Sequence, residues 1–305
     1  MATSRHLVMA FAAPLSDAGR HAMATLKWPG LGALLAGMKE VQRDAGDEWS
    51  LSPPHERAIA AALGWPEADG LSPWAARQLH ALGHEPGMQA WGLLTPVHWH
   101  LGTEQLSMGD PASLMLDADT SRSLLAAVEP LFTSEGFEVR WGAAGAWFLG
   151  HPSLAVMPCA ALDRVIGRNV DPWLPAGPHA RLVRRLQNEV QMLLYTHPIN
   201  AERERRGLLP VNSVWLSGCG VHREGAGVEP NLDLRLRGPA LNEDWAAWSA
   251  TWALIDAELA HADIQRLTLC GERSSLTLVS KPRNALRRLA SRWRRPAMAP
   301  LLESL

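Results

Sequence analysis

The stretch from Thr196 to Gly220 constrains this chain more than any other. Within 25 residues it carries His197, Asn200, Arg203, Asn212 and a Gly218-x-Gly220 step, a polar mixture that an ordinary core segment does not need. Before it, Leu182, Val183, Leu186, Val190, Leu193 and Leu194 recur at helical spacing, and Pro198 ends that helix. Asn200 is placed to cap a second, short helix and Gly207 to stop it. Val211 to Leu216 then reads as a buried strand that runs into the Gly218-x-Gly220 turn. Helix, helix and buried strand in this order require a mixed α/β architecture with a hydrophobic layer between helices and sheet.

The flanks extend that architecture. Residues 1–90 read as one short strand followed mostly by helix: Leu31 to Val41, Ala58 to Leu63, and Trp74 to Leu82 behind Pro73. Residues 91–220 form an α+β region. Val97 to Leu101 and Ser113 to Leu116 are expected strands. Asp119 or Thr120 caps a helix with Leu124, Leu125, Val128, Leu131 and Phe132 on one face, and Phe137 to Trp141 and Ala146 to Leu149 are a further strand pair. Residues 221–305 begin with a loop to about 240. A helix capped by Asn242 follows, carrying Trp245, Trp248, Trp252, Ile255 and Leu259. Strands near Leu267–Leu269 and Leu276–Val279 and a basic tail close the chain. The expected fold is one compact α/β (α+β) body with a mixed sheet and an α+β subdomain.

Composition narrows the classes. The 14 Trp against 4 Phe and 1 Tyr make Trp the large core residue of this chain. Net charge is −2, which gives the whole molecule no polyanion-binding character. The charge is uneven, because 7 of the 29 basic residues fall between Lys281 and Arg295. Cys159, Cys219 and Cys270 are widely spaced and form no Cys-x-x-Cys, which argues against a disulfide scaffold or thiolate zinc site and fits a reducing cytoplasm. The short apolar run after Arg5 reads as a buried first strand rather than a signal peptide, and no stretch of about 20 apolar residues suggests a membrane span.

Three groups of residues carry candidate chemistry. His197, Asn200, Arg203 and Asn212 compose a candidate anion site: amide donors at a helix N-terminus face an anion, and Arg203 or Arg206 adds a charged fork. The structural alternative is that Asn200 only caps and His197 bonds a backbone carbonyl. His98 and His100 alternate on a strand and face one way, with Glu104 near, a weak candidate for zinc against a plain pair at a strand end. Gly218-x-Gly220 lacks the third glycine and the following helix of a dinucleotide site, and Cys219 has no paired His in the sequence. Arg283 to Arg295, with Leu286, Leu289 and Trp293, forms a basic amphipathic helix suited to a protein or nucleic-acid partner, or to docking on the acidic body.

From about residue 93 to 220 the order of motifs resembles the archaeal-type cofactor-independent phosphoglycerate mutases of the alkaline phosphatase superfamily. The carriers are the His98 strand with the Phe137–Trp141 and Trp147-Phe148-Leu149 strands, the Val170-Asp171-Pro172-Trp173 entry, and above all His197-Pro198-Ile199-Asn200 with Arg203, Gly207, Pro210, Asn212, Trp215, Gly218 and Gly220. Over its full length the chain resembles the uncharacterised bacterial RpfE-type regulatory proteins, through Thr95-Pro96-Val97-His98 (Thr95 departs from the pattern), Leu269-Cys270-Gly271 and Trp293-Arg294-Arg295-Pro296. The first resemblance implies a Ser or Thr nucleophile beside two metal ions held by Asp and His. The chain has no opening Asp-Gly before residue 92. After 220 Asp233, Asp244, Asp256, His261 and Asp263 show no evident two-metal arrangement. The expectation is a non-catalytic cytoplasmic regulatory or ligand-binding protein with no cofactor, whose ligand is a phosphorylated small molecule. The alternatives are a metal-dependent phosphoglycerate mutase or phosphotransferase, and a nucleic-acid-associated protein that uses the basic helix.

Overall fold

The computed structural model describes residues 5–103, 105–177, 179–281 and 298–305. The chain condenses into two units. One is Met1–Glu67 with Gly225–Leu305, the other Ala68–Glu224. Sequence reading puts divisions after residues 90 and 220. In the first unit N-terminal strands pair with C-terminal ones. The mixed α/β class is the one expected.

The first unit starts with β1 (His6–Met9), α1 (Asp17–Thr25), α2 (Pro29–Ala36), β2 (Met38–Ala45) and α3 (Pro54–Ala62). Its remainder lies at the other end of the sequence: β9 (Asn231–Asp233), α9 (Arg237–Leu241), α10 (Trp245–Leu259), β10 (Arg266–Cys270), β11 (Ser274–Ser280) and a terminal helix Met298–Glu303. The sheet order is β2-β11-β10-β1-β9, with β1 parallel to β9 and β10, and β11 antiparallel to β10 and β2. Val8, Met9, Leu267 and Leu269 of the central strands are fully buried, as strands covered on both faces require. The edge strand β2 instead exposes Lys39, Glu40 and Arg43, charges that discourage further pairing.

Three expectations for this unit fail. The helix expected over Leu31 to Val41 ends at Gly37, and Met38 onward is strand, because pairing with β11 overrides a composition that suits either state. The region to residue 240 is not all loop, since it contains β9 and α9. The helix carrying Trp248, Trp252, Ile255 and Leu259 is present, but Asp244, not Asn242, caps it by accepting from the Ala247 amide.

The second unit contains α4 (Trp74–Ala81), β3 (Ala90–Val97), the hairpin β4 (Trp99–Leu101) and β5 (Leu106–Met108), and α5 (Ala118–Thr133). It continues with β6 (Glu138–Ala143), β7 (Ala146–Gly150), α6 (Leu162–Val165), α7 (Ala180–Tyr195), α8 (Pro198–Arg205) and β8 (Ser213–Val221). The sheet order is β6-β7-β3-β8, antiparallel throughout. Leu124, Leu125, Val128 and Phe132 of α5 join Val183, Leu186, Val190 and Leu194 of α7 over Leu94, Leu149, Val214 and Leu216 of the sheet. A smaller cluster sets Ala75, Ala76 and Leu79 of α4 against Trp91 and Phe148.

The expected strand at Ser113 to Leu116 is a short 3-10 turn, Pro111–Leu114. Asp110 caps it and Met115 follows in the left-handed region at φ 46°. The cap of α5 is Asp117, which accepts from the Thr120 amide and hydroxyl. Trp is the large core residue expected from its count. Trp91, Trp147, Trp215, Trp248 and Trp252 are fully buried, and each indole N–H donates to an oxygen within its own unit. The basic helix expected over Arg283 to Arg295 lies outside the described residues.

One ionisable group in the first sheet makes stability depend on pH. His6 on β1 sits with its Nε2 2.9 Å from the Thr268 hydroxyl, and burial, then the charge of Arg266, push its pKa down from 6.5 to about 4. The unfolded chain therefore takes up a proton near pH 6.5 that the folded chain refuses until about pH 4, and stability falls as pH drops through that window. Urea unfolding midpoints should fall more between pH 7 and 4 for the natural chain than for His6→Gln. Equal slopes would remove His6 from the acid response.

Candidate functional site

In the segment from α7 to β8, the side chains of His197, Asn200, Arg203 and Asn212 each meet a backbone group. His197 is the N-cap of α8, with Pro198 in the first helical position. Its Nδ1 accepts from the Ile199 amide at 3.3 Å. Asn200, expected to cap, lies inside the helix and is 5% exposed. Its Nδ2 donates to the carbonyls of Leu194 at 2.9 Å and Val211 at 2.8 Å, and its Oδ1 accepts from the Val211 amide at 2.9 Å. One amide thus ties the end of α7 to the residues before β8.

Arg203 is 2% exposed. Its Nε donates to the Leu209 carbonyl at 2.9 Å and its Nη2 to the Leu114 carbonyl at 2.5 Å. Burial lowers its pKa, partly opposed by the charge of Asp117. Asn212 bonds both main-chain groups of Trp99, accepting from N at 2.7 Å and donating to O at 2.9 Å, so its side chain continues the β3–β8 ladder toward β4. His197, Asn200 and Arg203 gather around α8, while Asn212 works at the β3–β4 join. Neither detail of the structural alternative is seen, since His197 does the capping by accepting from an amide and Asn200 bridges two segments instead. Gly207, at φ 71°, stops α8 as expected.

Gly218-x-Gly220 is not a terminal turn, because β8 continues through it to Val221 with a bulge against β3. Gly218 is left-handed at φ 62°, and a Cβ there would stand 3.1 Å from the Trp74 Cβ. These glycines let the strand lie close under α4. Cys219 is fully buried with its Sγ 3.6 Å from that of Cys159. The bond to Cys159 and burial hold its pKa well above the ordinary thiol value, the opposite of what a nucleophile needs.

His98 and His100 face one way, as the alternation requires, with ring centroids 4.4 Å apart. Burial and the neighbouring His98 lower the pKa of His100. Glu104 is outside the described residues. Among the described residues no three His, Cys, Asp or Glu gather as a metal-ligating group, and no helix is long and apolar enough to cross a membrane.

The C-terminal ends of parallel strands, where open α/β sheets carry reactive groups, are built differently in the first unit. After β1 the chain runs through buried Ala10, Phe11, Ala12 and Ala13, with the Ala10 amide on the Asp233 carbonyl and the Ala12 amide on the Cys270 carbonyl. Phe11 is left-handed at φ 57°. The indoles of Trp248 and Trp252 donate to the carbonyls of Phe11 and Ala12 at 3.0 and 3.1 Å.

The carboxylates counted after residue 220 have structural partners. Asp233 is clasped by Arg235, which also holds Glu258, and although burial raises the Asp233 pKa, the Arg235 bonds bring it below normal. Asp256 is 4% exposed and accepts from the amides of Gly30 at 2.9 Å and Leu31 at 2.7 Å, capping α2 from α10. Asp263 pairs with Arg5 at the surface. The role of Asp256 has no signal in the sequence, because its partners lie more than 220 positions away.

No family model matches the chain. A 119-residue segment is 27% identical to a probable 2,3-bisphosphoglycerate-independent phosphoglycerate mutase of Geobacter sulfurreducens, covering 38% of this chain and 29% of that protein. A 62-residue segment is 32% identical to the 2,3-bisphosphoglycerate-independent phosphoglycerate mutase of Methanothrix thermoacetophila, covering 20% of this chain and 16% of that one. The chain spans less than a third of the length of the curated relatives it matches. Among solved structures it is similar to a cofactor-independent phosphoglycerate mutase from Thermoplasma acidophilum, at 14% identity and TM-score 0.39 over 90% of this chain and 89% of that one. It is also similar to the PH0037 protein from Pyrococcus horikoshii, at 10% identity and TM-score 0.44 over 92% and 88%. Part of the chain is therefore related to phosphoglycerate mutase-like proteins.

Proposed function

We propose that this protein is a non-catalytic regulatory or ligand-binding relative of the phosphoglycerate mutases, working in a reducing compartment such as the cytoplasm. The observation that carries the reading is the filling of the strand ends in the first unit. Where a sheet of this kind would present acidic ligands and a nucleophile, Ala10 to Ala13 are buried and two tryptophans bond the carbonyls of Phe11 and Ala12. The compartment rests on Cys159 and Cys219, which touch as free thiols. The regulatory role rests on the resemblance to the RpfE-type proteins.

A phosphorylated small molecule is the ligand class that the mutase relationship suggests. The side chains of Asn200, Arg203 and Asn212 are engaged with the chain itself, so an anion at this segment would meet the half-exposed His197 and the exposed Arg206. The second reading is a metal-dependent mutase, favoured by the partial identity with a probable and a named 2,3-bisphosphoglycerate-independent phosphoglycerate mutase.

One pair of assays separates the two. The purified chain, supplied in turn with Mg²⁺, Mn²⁺, Co²⁺ and Zn²⁺, should neither interconvert 2- and 3-phosphoglycerate nor release phosphate from p-nitrophenyl phosphate above the protein-free rate. It should bind a phosphoglycerate or a sugar phosphate saturably in equilibrium dialysis. Metal-dependent turnover would replace the first reading with the second, and absence of both turnover and binding would leave the phosphorylated ligand without support.

A further inference from the structure

We infer that His98 and His100 form a two-imidazole site for a late first-row divalent cation, of the Zn²⁺, Ni²⁺ and Cu²⁺ class. Residues two apart in extended chain project to the same side, and here the rings come within 4.4 Å, centroid to centroid, with an interplanar angle of 68°. Proximity alone would describe a ring contact. Two further observations make the pair a ligand set.

The first is the fixed tautomer of His98. Its Nδ1 lies 2.7 Å from the Pro210 carbonyl oxygen. A carbonyl can only accept, so Nδ1 carries the hydrogen, and the lone pair of the neutral ring sits on Nε2. A ring nitrogen donating to a backbone carbonyl while the other is left to coordinate is the usual setting of a metal-bound histidine. The carbonyl is itself held, because Asn200 and Asn212 anchor the residues that follow Pro210 to α7 and to Trp99.

The second is the glycine beside His100. A Cβ built on Gly109 would stand 3.0 Å from His100 Nε2, so any other residue there would crowd that nitrogen. The Gly109 amide donates to the His98 carbonyl at 3.0 Å, which holds the hairpin base against the pair. Imidazole suits Zn²⁺, Ni²⁺ and Cu²⁺, with affinity rising toward Cu²⁺. Two protein ligands leave the remaining positions of such an ion to water or to an oxyanion from solution. The site is independent of the reading under Proposed function, since neither turnover nor phosphoglycerate binding is needed for it.

The test is calorimetric titration of the full chain with Ni²⁺ and with Zn²⁺ in a non-coordinating buffer at pH 7.5, together with the electron paramagnetic resonance spectrum of the one-equivalent Cu²⁺ complex. One tight site is expected, with nitrogen hyperfine structure from two imidazoles. His100→Ala, an exposed position, should weaken the ion by about tenfold or more, the least that loss of a direct ligand implies. His98→Ala should do the same. A second histidine pair, His80 and His222, has ring centroids 4.8 Å apart and serves as the control. His80→Ala should leave the tight site unchanged. Unchanged affinity in His100→Ala with circular dichroism like that of the natural chain, or loss of the tight site in His80→Ala, would overturn the assignment.

Discussion

Replacing Gly30 by Ala should destabilise the first unit by about 4 kcal/mol, although an Ala inside a helix ordinarily stabilises it by about 1 kcal/mol relative to Gly. A Cβ at position 30 would stand 1.8 Å from the Asp256 backbone oxygen, 2.9 Å from its carbonyl carbon and 3.2 Å from the Ala260 nitrogen. All three atoms belong to the main chain of α10 and its end, so no side chain can swing aside. α2 would have to move away, and the Gly30 and Leu31 amides would then lose the Asp256 carboxylate. Thermal and urea unfolding of Gly30→Ala against Gly32→Ala checks this. A Cβ on Gly32 meets nothing within 4 Å, so that variant should be neutral or slightly more stable. Equal stability of the two would show that α2 and α10 do not press together at Gly30.

Asn200→Ala should lower the stability of the second unit by about 3–5 kcal/mol, since each buried polar group left unpaired costs about 1–3 kcal/mol and three are stranded here. They are the Leu194 carbonyl, the Val211 carbonyl and the Val211 amide. Asn200→Asp should not rescue it, because a carboxylate keeps the acceptor but faces two carbonyls without a hydrogen to give. The expected readout is a lower urea midpoint at unchanged slope, with the same shift whether or not a phosphorylated ligand is present. A normal midpoint combined with lost ligand binding would instead make Asn200 part of a binding site.

The long helices were legible without coordinates. The stripes of α5, α7 and α10 each repeat over several turns, and a hydrophobic period of that length has few competing explanations. The caps of α5, α10 and the short α8 were missed by a few residues: Asp117 rather than Asp119 or Thr120, Asp244 rather than Asn242, His197 rather than Asn200. Several adjacent residues can cap, and the choice depends on where the first turn is set by packing. β2 and β9 were not legible. Met38 to Ala45 is charged and without a clean alternation, and it is a strand only because β11 offers it a ladder.

The polar run from His197 to Gly220 shows the same division. Residue identity required that Asn200, Arg203 and Asn212 find partners if buried, since an unpaired amide or guanidinium inside a protein is costly. It could not say whether those partners were a ligand or the chain. Leu114, Leu209, Val211 and Trp99 supply the partners, and Leu114 and Trp99 lie about 90 to 110 positions away from the side chains they meet. The meeting of Cys159 with Cys219 is of the same kind. Sequence by itself determined the mixed α/β class, the three long helices and tryptophan as the large core residue, because these follow from local period and composition. Tertiary structure alone decided that the first and last strands share one sheet and that the conspicuous polar side chains close backbone bonds. Hydrogen-bond partners in a folded interior are chosen by proximity in space, and local sequence carries no record of it.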